Sequence, residues 1–318
     1  MVKIRIYSGL FDIFASVQTS MEPEITIIIP AYNASAYLTD SVSSVIKQTF
    51  TSWELIIVND GSTDNTKEIV GTFLTDSRIK LIDQQNKGVS AARNAGITDA
   101  TGKYMGFLDA DDYLLPNALQ RKYEVLSNNP MIDFVYSDVI NCDSKLNEVK
   151  VQKGIDSANL LKEALLWQKE VIPTLPSNVI GKASLFKEKL KFDVNLSNCA
   201  DRYMKIELAA NAIGAYIPES LVKYRDTPGS MSKKIALLEH DEEYIAKKII
   251  ETNLVPKSAF RRKVIANIYF TVSGSWYKDA KNPGRAIRYF FKAFAASPFY
   301  ILGRALQKIP VLLGFSRS

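Results

Sequence analysis

The sequence predicts an α/β fold in which a mixed, mostly parallel sheet is flanked by helices, with a helical extension at the C-terminal end. Two observations support this prediction. Over residues 24–137, short apolar runs alternate regularly with segments of helical periodicity. Carboxylates directly follow two of these runs, at Val58-Asn59-Asp60 and at Leu108-Asp109. This combination is typical of a doubly wound sheet that binds its ligand at the carboxyl ends of its strands.

The individual elements follow from local patterns. The β-branched run Ile25–Ile29, closed by Pro30, predicts the first strand, and 103–108 predicts a fourth that leads into the acidic turn. Apolar residues at helical spacing, capping residues at 62–64 and a proline at position 116 predict the intervening helices. In order, strands are predicted at 25–29, 53–58, 79–82, 103–108 and 134–136, and helices at 34–49, after 64, at 89–100 and after 116.

The second part of the chain is less regular. From Asn141 to Tyr224 we predict helices at 157–167 and 201–212, a loop at 173–176 and a short strand at 178–180. The turn-rich residues 227–230 predict a mobile loop. From Ile235 onward, long basic amphipathic segments predict helices to the end of the chain.

Composition narrows the chemistry. The chain has 318 residues, of which 47% are hydrophobic and 23% charged, as in an ordinary soluble globular protein. Its two cysteines, Cys142 and Cys199, imply no disulfide framework and favour a reducing, cytoplasmic compartment. The single histidine, His240, excludes a site with two histidine ligands. A metal would therefore be bound through oxygen, which favours magnesium or manganese.

The net charge of +6 is unevenly distributed. Residues 240–318 carry 14 basic and 5 acidic side chains, whereas the rest carries 26 and 29. This predicts an anionic partner for the C-terminal region, and a membrane surface is favoured over nucleic acid because no nucleic-acid motif accompanies the charge. Segment 299–315 is too short and too charged to span a bilayer. The alternatives for these helices are packing on the α/β domain or a homodimer interface.

Residues 1–23 form an N-terminal leader without a convincing secretory signal. Arg5 and Asp12 interrupt its apolar stretch, and no small-residue cleavage site follows. An amphipathic helix, a disordered leader and an upstream extension with Met21 as the alternative start all stay open. No apolar run is long enough to predict a transmembrane helix.

Four motifs, in this order and at close spacing, resemble those of the family 2 glycosyltransferases. They read Ile-Ile-Pro-Ala-Tyr-Asn at 28–33, Val-Asn-Asp-Gly-Ser-Thr-Asp at 58–64, Asn-Lys-Gly-Val-Ser-Ala-Ala-Arg-Asn at 86–94 and Phe-Leu-Asp-Ala-Asp-Asp at 107–112. The resemblance is dense over 24–137 and sparser over 138–232. It implies a Rossmann-like GT-A fold and inverting, metal-dependent transfer of a sugar from a nucleotide-sugar donor.

The resemblance also implies a division of the chain and a donor site. Residues 24–137 would bind the nucleotide-sugar, 138–234 the acceptor, and 235–318 would form the basic helical region. Asp60 would accept from an N–H of the base, which suits uracil, although a strand-end turn explains it equally by itself. The resemblance implies that Arg93 faces the nucleotide. The alternative is a solvated helix arginine or one paired with a nearby carboxylate, and Arg93 can both face the nucleotide and form such a pair. The expected nucleotide-binding residues are Pro30, Ala31, Tyr32, Asn33, Asp60, Gly61, Ser62, Lys87, Gly88, Arg93, Asp109 and Ala110.

Asp109-Ala110-Asp111 matches the DxD motif of the family. The resemblance places Asp109 near the ribose and Asp111 on a Mn²⁺ or Mg²⁺ ion, with Asp109 as a second candidate ligand. Such an ion would bridge the two phosphates and neutralise the charge that develops on the departing nucleoside diphosphate. Asp112 would orient the neighbouring groups.

The family takes its catalytic base from a Glu-Asp pair that opens a helix, and Asp201 matches the aspartate. Ala200 replaces the glutamate, and a helix N-cap is the alternative role for Asp201. Further along, Thr227 occupies the place of a histidine that can help to hold metal or diphosphate. Arg225 and Lys233 are candidates for a replacement contact with the diphosphate.

The predicted function is transfer of a hexose or N-acetylhexosamine from UDP to a glycan or lipid-linked acceptor, at the inner face of a bacterial membrane. One alternative is a nucleotide-sugar-binding subunit without turnover, which Ala200 and Thr227 keep open. Another is a nucleotidyltransferase, although 30–34 lacks the glycine-rich phosphate loop expected of one. No GxGxxG follows the first strand, which disfavours a dehydrogenase.

Overall fold

The structure, a computed structural model, describes residues 22–227 and 235–312, with side chains described through residue 306. The strands are β1 (Ile25–Ala31), β2 (Trp53–Asp60), β3 (Ile79–Gln84), β4 (Tyr104–Phe107), β5 (Tyr113–Leu114), β6 (Phe134–Cys142), β7 (Glu148–Gln152), β8 (Ile180–Lys182) and β9 (Gly214–Arg225). The α-helices are α1 (Leu38–Ile46), α2 (Thr66–Phe73), α3 (Val89–Asp99), α4 (Ala118–Asn128), α5 (Leu160–Leu166), α6 (Ala200–Asn211), α7 (Ile235–Glu251), α8 (Ala259–Lys278), α9 (Pro283–Ala296) and α10 (Pro298–Leu312). A short π-type helix occupies Leu185–Lys189.

All these strands belong to one sheet, in the order β3-β2-β1-β4-β8-β6-β9-β5, with β7 beside β6. Strands β1 to β4 are parallel to one another, whereas β8 runs antiparallel to β4 and β6, and β5 antiparallel to β9. The predicted α/β class with a mixed, mostly parallel sheet is thereby confirmed. The strand order reverses between β1 and β4, so the crevice at their carboxyl ends is the topological switch point of the sheet.

The central strands β1 and β2 are buried along their whole length and mostly apolar, because helices cover both faces of the sheet. Ile27, Ile29 and Leu55 pack into one core cluster, while the alternate residues Ile28 and Ile56 pack into the other. The period of two along each strand sends successive side chains to opposite faces. This burial fixes the register of β1 against β2 and β4, and it therefore fixes where their ends meet.

The structure corrects the prediction for the second half of the chain. The strand predicted at 134–136 extends to Cys142, and the twelve-residue β9 forms where the sequence predicts no strand. Pro218 obscures β9 because proline breaks a ladder of hydrogen bonds. The pairing register of β6 with β9 shifts between Ser137 and Asp138, which leaves Pro218 in the irregular part of the pairing.

Four helices follow residue 235, which confirms the predicted C-terminal helical extension as far as residue 312. Helix α8 lies at the centre of this region: its residues pack with α7, α9 and α10 and reach α5 of the α/β domain. No helix within the described ranges is long and apolar enough to cross a membrane. Residues 1–21, most of the predicted leader, and residues 228–234, which include most of the predicted mobile loop, lie outside the described part of the chain.

Candidate active site

Two turns meet at the carboxyl ends of β1 and β2. Asn33, which has a φ of +49°, accepts a hydrogen bond from the backbone N–H of Thr63 at 2.8 Å. Its own backbone N–H donates to Ser62 Oγ at 3.0 Å. Tyr32, the residue before Asn33, has an exposed side chain and directly follows Ala31, the buried last residue of β1. These contacts bring the predicted donor residues 30–33 and 60–62 into one group.

Asp60 organises the loop that precedes α3. Its buried carboxylate accepts from the backbone N–H groups of Lys87 at 2.9 Å and Gly88 at 2.8 Å, and from Gln84 Nε2 at 2.7 Å. The loop passes so close to Gly61 that a Cβ there would lie 2.7 Å from the backbone nitrogen of Asn86. Lys87 and Gly88 are thus held at the same edge as Asp60. A contact between Asp60 and a nucleobase stays a prediction.

Arg93 connects the two acidic parts of the site. One guanidinium nitrogen, Nη2, lies 2.7 Å from Asp109 Oδ1, and the other, Nη1, lies 2.7 Å from Asp201 Oδ1. The side chain is buried and stacks over the ring of Phe192, with 4.8 Å between the guanidinium carbon and the ring centroid. The charge of both carboxylates raises the pKa of Arg93 against the effect of burial, so the guanidinium stays protonated. Pairing with carboxylates is thus the predicted role of Arg93 that the structure shows, its burial contradicts a solvated helix arginine, and a contact with the nucleotide stays a prediction.

The acidic turn after β4 concentrates negative charge where little water reaches. Asp112 is fully buried and accepts from the Ser177 hydroxyl at 2.6 Å and from the Arg225 N–H at 3.1 Å. Burial and the neighbouring Asp111 and Asp109 raise its pKa well above the ordinary value. Burial and the charge of Asp109 also raise the pKa of Asp111, to about 6. The turn therefore has an excess of negative charge that a bound cation would relieve.

The donor set fits a divalent cation. The carboxylate of Asp111 accepts a hydrogen bond from the Thr227 hydroxyl at 3.2 Å, whereas the carboxylate of Asp109 is paired with Arg93. Within residues 22–227 and 235–312, no group of three or more histidine, cysteine or acidic residues could enclose a metal. Magnesium and manganese sites commonly combine one or two carboxylates with phosphate oxygens and water. Asp111, with Asp109 beside it, suits such a shared site.

Asp201 lies in the first turn of α6, and its backbone position depends on a residue that the sequence did not single out. Asp241 of α7 accepts from the backbone N–H groups of Ser197 at 3.0 Å and Cys199 at 2.8 Å, directly before α6. Asp201 itself is partly exposed. Although part of the side chain reaches solvent, the protein around the carboxyl group disfavours its charged form and raises the pKa of Asp201 to about 6. The charge of Asp109 adds to this shift, and Arg93 opposes it. The preceding Ala200 packs its methyl group into the core.

Arg225 and Lys233 are the residues predicted to contact the diphosphate, and the structure describes the first of them. Arg225 is buried, and its guanidinium donates to the Asp111 carbonyl at 2.8 Å, the Ser144 carbonyl at 3.0 Å and Asp40 Oδ2 at 2.8 Å. Arg225 thus holds the backbone of the acidic turn in place. A contact between Arg225 and a phosphate stays a prediction. Thr227, the residue in place of the family histidine, reaches Asp111 directly. Lys233 lies outside the described residues.

Ser177 and Asp241 are the site-supporting residues that sequence reasoning missed. The Ser177 hydroxyl accepts a hydrogen bond from the backbone N–H of Asp109 at 3.0 Å and donates one to the carboxylate of Asp112. It therefore fixes the shape of the acidic turn. Both residues are separated from their partners by more than 40 positions. A serine after a proline and an aspartate in a polar helix carry no local pattern, so only the fold reveals them.

Comparison with known families gives a match over the region that contains this site. The family model described as Glycosyl transferase family 2 matches residues 26–188. An uncharacterized glycosyltransferase of Haemophilus influenzae is 31% identical over 243 residues, which cover 73% of both chains. The Escherichia coli protein named UDP-Glc:alpha-D-GlcNAc-diphosphoundecaprenol beta-1,3-glucosyltransferase WfgD is 38% identical over 141 residues, 43% of this chain and 55% of that protein.

Other relatives are longer than this chain. An uncharacterized glycosyltransferase of Rickettsia conorii is 33% identical over 218 residues, which make up 67% of this chain but 34% of that protein. The chain thus spans about a third of the length of the first curated relatives that it matches.

Solved structures share the fold. Residues 1–349 of Staphylococcus aureus TarS in complex with UDP-GlcNAc superpose with a TM-score of 0.65 at 21% identity, covering 87% of this chain and 82% of that one. The mannosyltransferase PcManGT of Pyrobaculum calidifontis, in complex with GDP-Man and Mn²⁺, gives a TM-score of 0.53 at 19% identity, with coverage of 90% and 80%. At this level of identity the likeness establishes the architecture alone.

Proposed function

Because the chain belongs to glycosyl transferase family 2, we propose that it transfers a sugar from a nucleotide-sugar donor to a hydroxyl group of a glycan or lipid-linked acceptor. The observation that carries this proposal is the pair of contacts made by Arg93. One buried guanidinium holds both Asp109, at the end of β4, and Asp201, at the start of α6. The acidic turn that contains the candidate metal ligand Asp111 and a carboxylate suited to a general base are therefore connected by one side chain.

The donor end of the reaction takes place at the acidic turn. A divalent cation, held by Asp111 with Asp109 beside it, would stabilise the negative charge that develops on the leaving nucleoside diphosphate. The chain's own residues do the positioning: Ser177 holds the backbone of Asp109, and Arg225 holds that of Asp111. Residues 30–33, 60–62 and 87–88 form the neighbouring edge, where the nucleoside would lie. Asp60 there accepts an N–H of the base in this proposal.

The acceptor end of the reaction uses Asp201. Inversion at the anomeric carbon requires the acceptor hydroxyl to attack from the side opposite the diphosphate, and a carboxylate must take its proton as the bond forms. Asp201 is partly exposed, so an incoming hydroxyl can reach it. Its pKa of about 6 lies close to neutrality, which suits a residue that is ionised before the reaction and still basic enough to accept a proton.

We assign UDP-hexose or UDP-N-acetylhexosamine as the donor class and synthesis of bacterial surface polysaccharide as the process. TarS, which shares the fold, binds UDP-GlcNAc, and WfgD is named for a UDP-Glc donor and a diphosphoundecaprenol acceptor. A lipid-linked acceptor would place the protein in the cytoplasm at the inner face of the membrane. The manganese in PcManGT supports Mn²⁺ or Mg²⁺ as the cofactor.

A binding subunit without turnover is the second candidate, and Ala200 favours it. Its methyl group is buried where the family carries the first member of the acidic pair. This chain thus offers one carboxylate, Asp201, at the start of α6 instead of two. Turnover would then be absent although the donor still binds.

Calorimetric titration of the full chain with UDP and GDP, with and without Mn²⁺, separates these candidates from other functions. We expect UDP to bind more tightly than GDP, and only in the presence of the metal. The same protein preparation is then incubated with UDP-sugars. Hydrolysis of one of them supports the transferase, whereas UDP binding without hydrolysis of any UDP-sugar and without transfer to any acceptor supports the binding subunit. Failure of both UDP and GDP to bind, with Mn²⁺ as well as without it, would refute both candidates.

The pH dependence of kcat/KM provides a further prediction. Because the pKa of Asp201 is raised to about 6, the base is ionised above that pH and becomes protonated below it. We therefore expect kcat/KM to be level near neutral pH and to fall about tenfold for each pH unit below about 6. The assay should be run at saturating Mn²⁺, so that proton competition at Asp111 does not shape the curve. A level profile down to about pH 5 would contradict an ionised Asp201 as the base.

A further inference from the structure

The last helices of the described chain expose apolar side chains that take no part in its core. On α9, Ile287 and Phe291 lie one turn apart and are 57% and 63% exposed. On α10, Phe299 is 91% exposed, and Leu302 and Leu306 follow it at helical spacing. We call these five residues the C-terminal apolar surface. Exposed apolar residues grouped on adjacent helices are typical of an interaction site.

Folding of the chain does not require these side chains to be apolar. Helix α9 already has a packed face, because Ala286 and Tyr289 lie in a cluster with α8, and Ala293 packs with Ile301 of α10. The C-terminal apolar surface is the other side of these helices. Amphipathic helices whose inner face is already packed leave the outer face for a partner.

The charge around this surface identifies the kind of partner. Between residues 280 and 306 the chain has five lysines and arginines and no aspartate or glutamate, while the facing helix α7 pairs Glu239 with Arg285 at 3.2 Å and Glu243 with Lys292 at 2.6 Å. Among them, Arg285 and Arg288 are exposed on α9, next to Ile287. A surface that is apolar and has more basic than acidic side chains around it complements an anionic lipid bilayer, whose headgroups bind the cations while its acyl region accepts the apolar side chains.

The other occupants fit less well. Two copies of this chain would bring two basic surfaces together, and the like charges would repel each other. As far as the structure describes it, α10 is too short to span a membrane, since its 15 residues extend about 22 Å as a helix, less than the hydrocarbon core of about 30 Å.

We propose that α9 and α10 lie on an anionic membrane surface, with the C-terminal apolar surface inserted at the level of the headgroups. Helix α10 contacts the part of the α/β domain that is predicted to bind the acceptor, residues 138–234. There Gln168, which follows α5, donates a hydrogen bond to the Tyr300 hydroxyl of α10 at 2.9 Å. Docking through these helices would bring the half of the protein that contains Asp201 close to the lipid. The inference extends the lipid-linked acceptor of the proposed function, but lipid binding itself does not depend on turnover.

Co-sedimentation of the full chain with vesicles tests the proposal. We expect binding to vesicles of equal parts phosphatidylglycerol and phosphatidylcholine, little binding to phosphatidylcholine alone, and release as salt is raised. The double variant Ile287→Glu/Phe291→Glu should bind the anionic vesicles about tenfold more weakly or worse, because it replaces inserted apolar groups by charges.

A matched control adds the same two charges elsewhere. Met131→Glu/Val149→Glu alters two exposed apolar residues of the α/β domain and should bind like the wild type. Equal losses in both double variants, or a wild-type chain that ignores anionic vesicles, would overturn the proposal. So would light scattering that shows a wild-type dimer split by Ile287→Glu/Phe291→Glu. Calorimetry with UDP on the same samples reports separately on the nucleotide site, and melting curves report on folding.

Discussion

Replacing Asp201 by asparagine is expected to lower kcat for sugar transfer about 10²- to 10⁴-fold while leaving UDP binding close to the wild-type level. The amide cannot take the proton of the acceptor hydroxyl. It does retain an oxygen that can accept from Arg93, so the contact at 2.7 Å between this residue and the guanidinium has a substitute. Rate and binding should therefore separate, and both can be measured on one preparation, by transfer assay and by calorimetry.

Glu207→Gln is the matched control for this variant. Glu207 lies on the same helix, α6, six residues after Asp201, and its substitution removes the same charge. We expect it to keep nearly full activity. If Glu207→Gln lost as much activity as Asp201→Asn, the effect would belong to the charge or stability of α6, and the role of Asp201 as the base would be wrong.

Replacing Asp111 by asparagine is expected to abolish the metal dependence of UDP binding and to lower turnover about a thousandfold, the kinetic equivalent of about 4 kcal/mol of transition-state stabilisation. The carboxylate of Asp111 is the one in the acidic turn that is neither paired with an arginine, as Asp109 is, nor fully buried, as Asp112 is. It is therefore the group best placed to bind the cation. Calorimetric titration with Mn²⁺ in the presence of UDP measures the loss directly.

Asp99→Asn removes one negative charge at the far end of α3, where the side chain is exposed. This control should bind Mn²⁺ and UDP like the wild-type chain. The metal assignment would fail if Asp111→Asn kept the wild-type affinity for Mn²⁺ in the presence of UDP. The Asp111 variant is also expected to melt at or above the wild-type temperature, because it relieves crowding among three carboxylates.

The parts of the site that were predictable from sequence are those encoded within a few neighbouring residues. Asp60, Asp109 and Asp111 each follow an apolar run, so the periodicity that identifies the strand also locates the carboxylate at its end. The order of strands then brings these ends together at the switch point between β1 and β4. Local pattern and general topology were sufficient here.

The parts that were not predictable depend on pairings over long separations. Arg93 is 108 residues from Asp201, and nothing near either residue specifies the ion pair between them. Strand β9 was missed because Pro218 breaks its local pattern, although its pairing with β6 absorbs the irregularity. Asp241, on a helix beyond the α/β domain, fixes the backbone before α6. In each case the tertiary structure decides what the local sequence leaves open.

We propose that metal-dependent donor binding and an Asp201 base act together in one sugar transferase. Transfer over a panel of nucleotide sugars, with a lipid-linked glycan acceptor and Mn²⁺, tests this by comparing the wild type with Asp201→Asn. We expect that one UDP-sugar is consumed with inversion at the anomeric carbon, that chelation of the metal stops the reaction, and that Asp201→Asn binds UDP without turnover. Wild-type rates in Asp201→Asn, or a product with retained configuration, would contradict it.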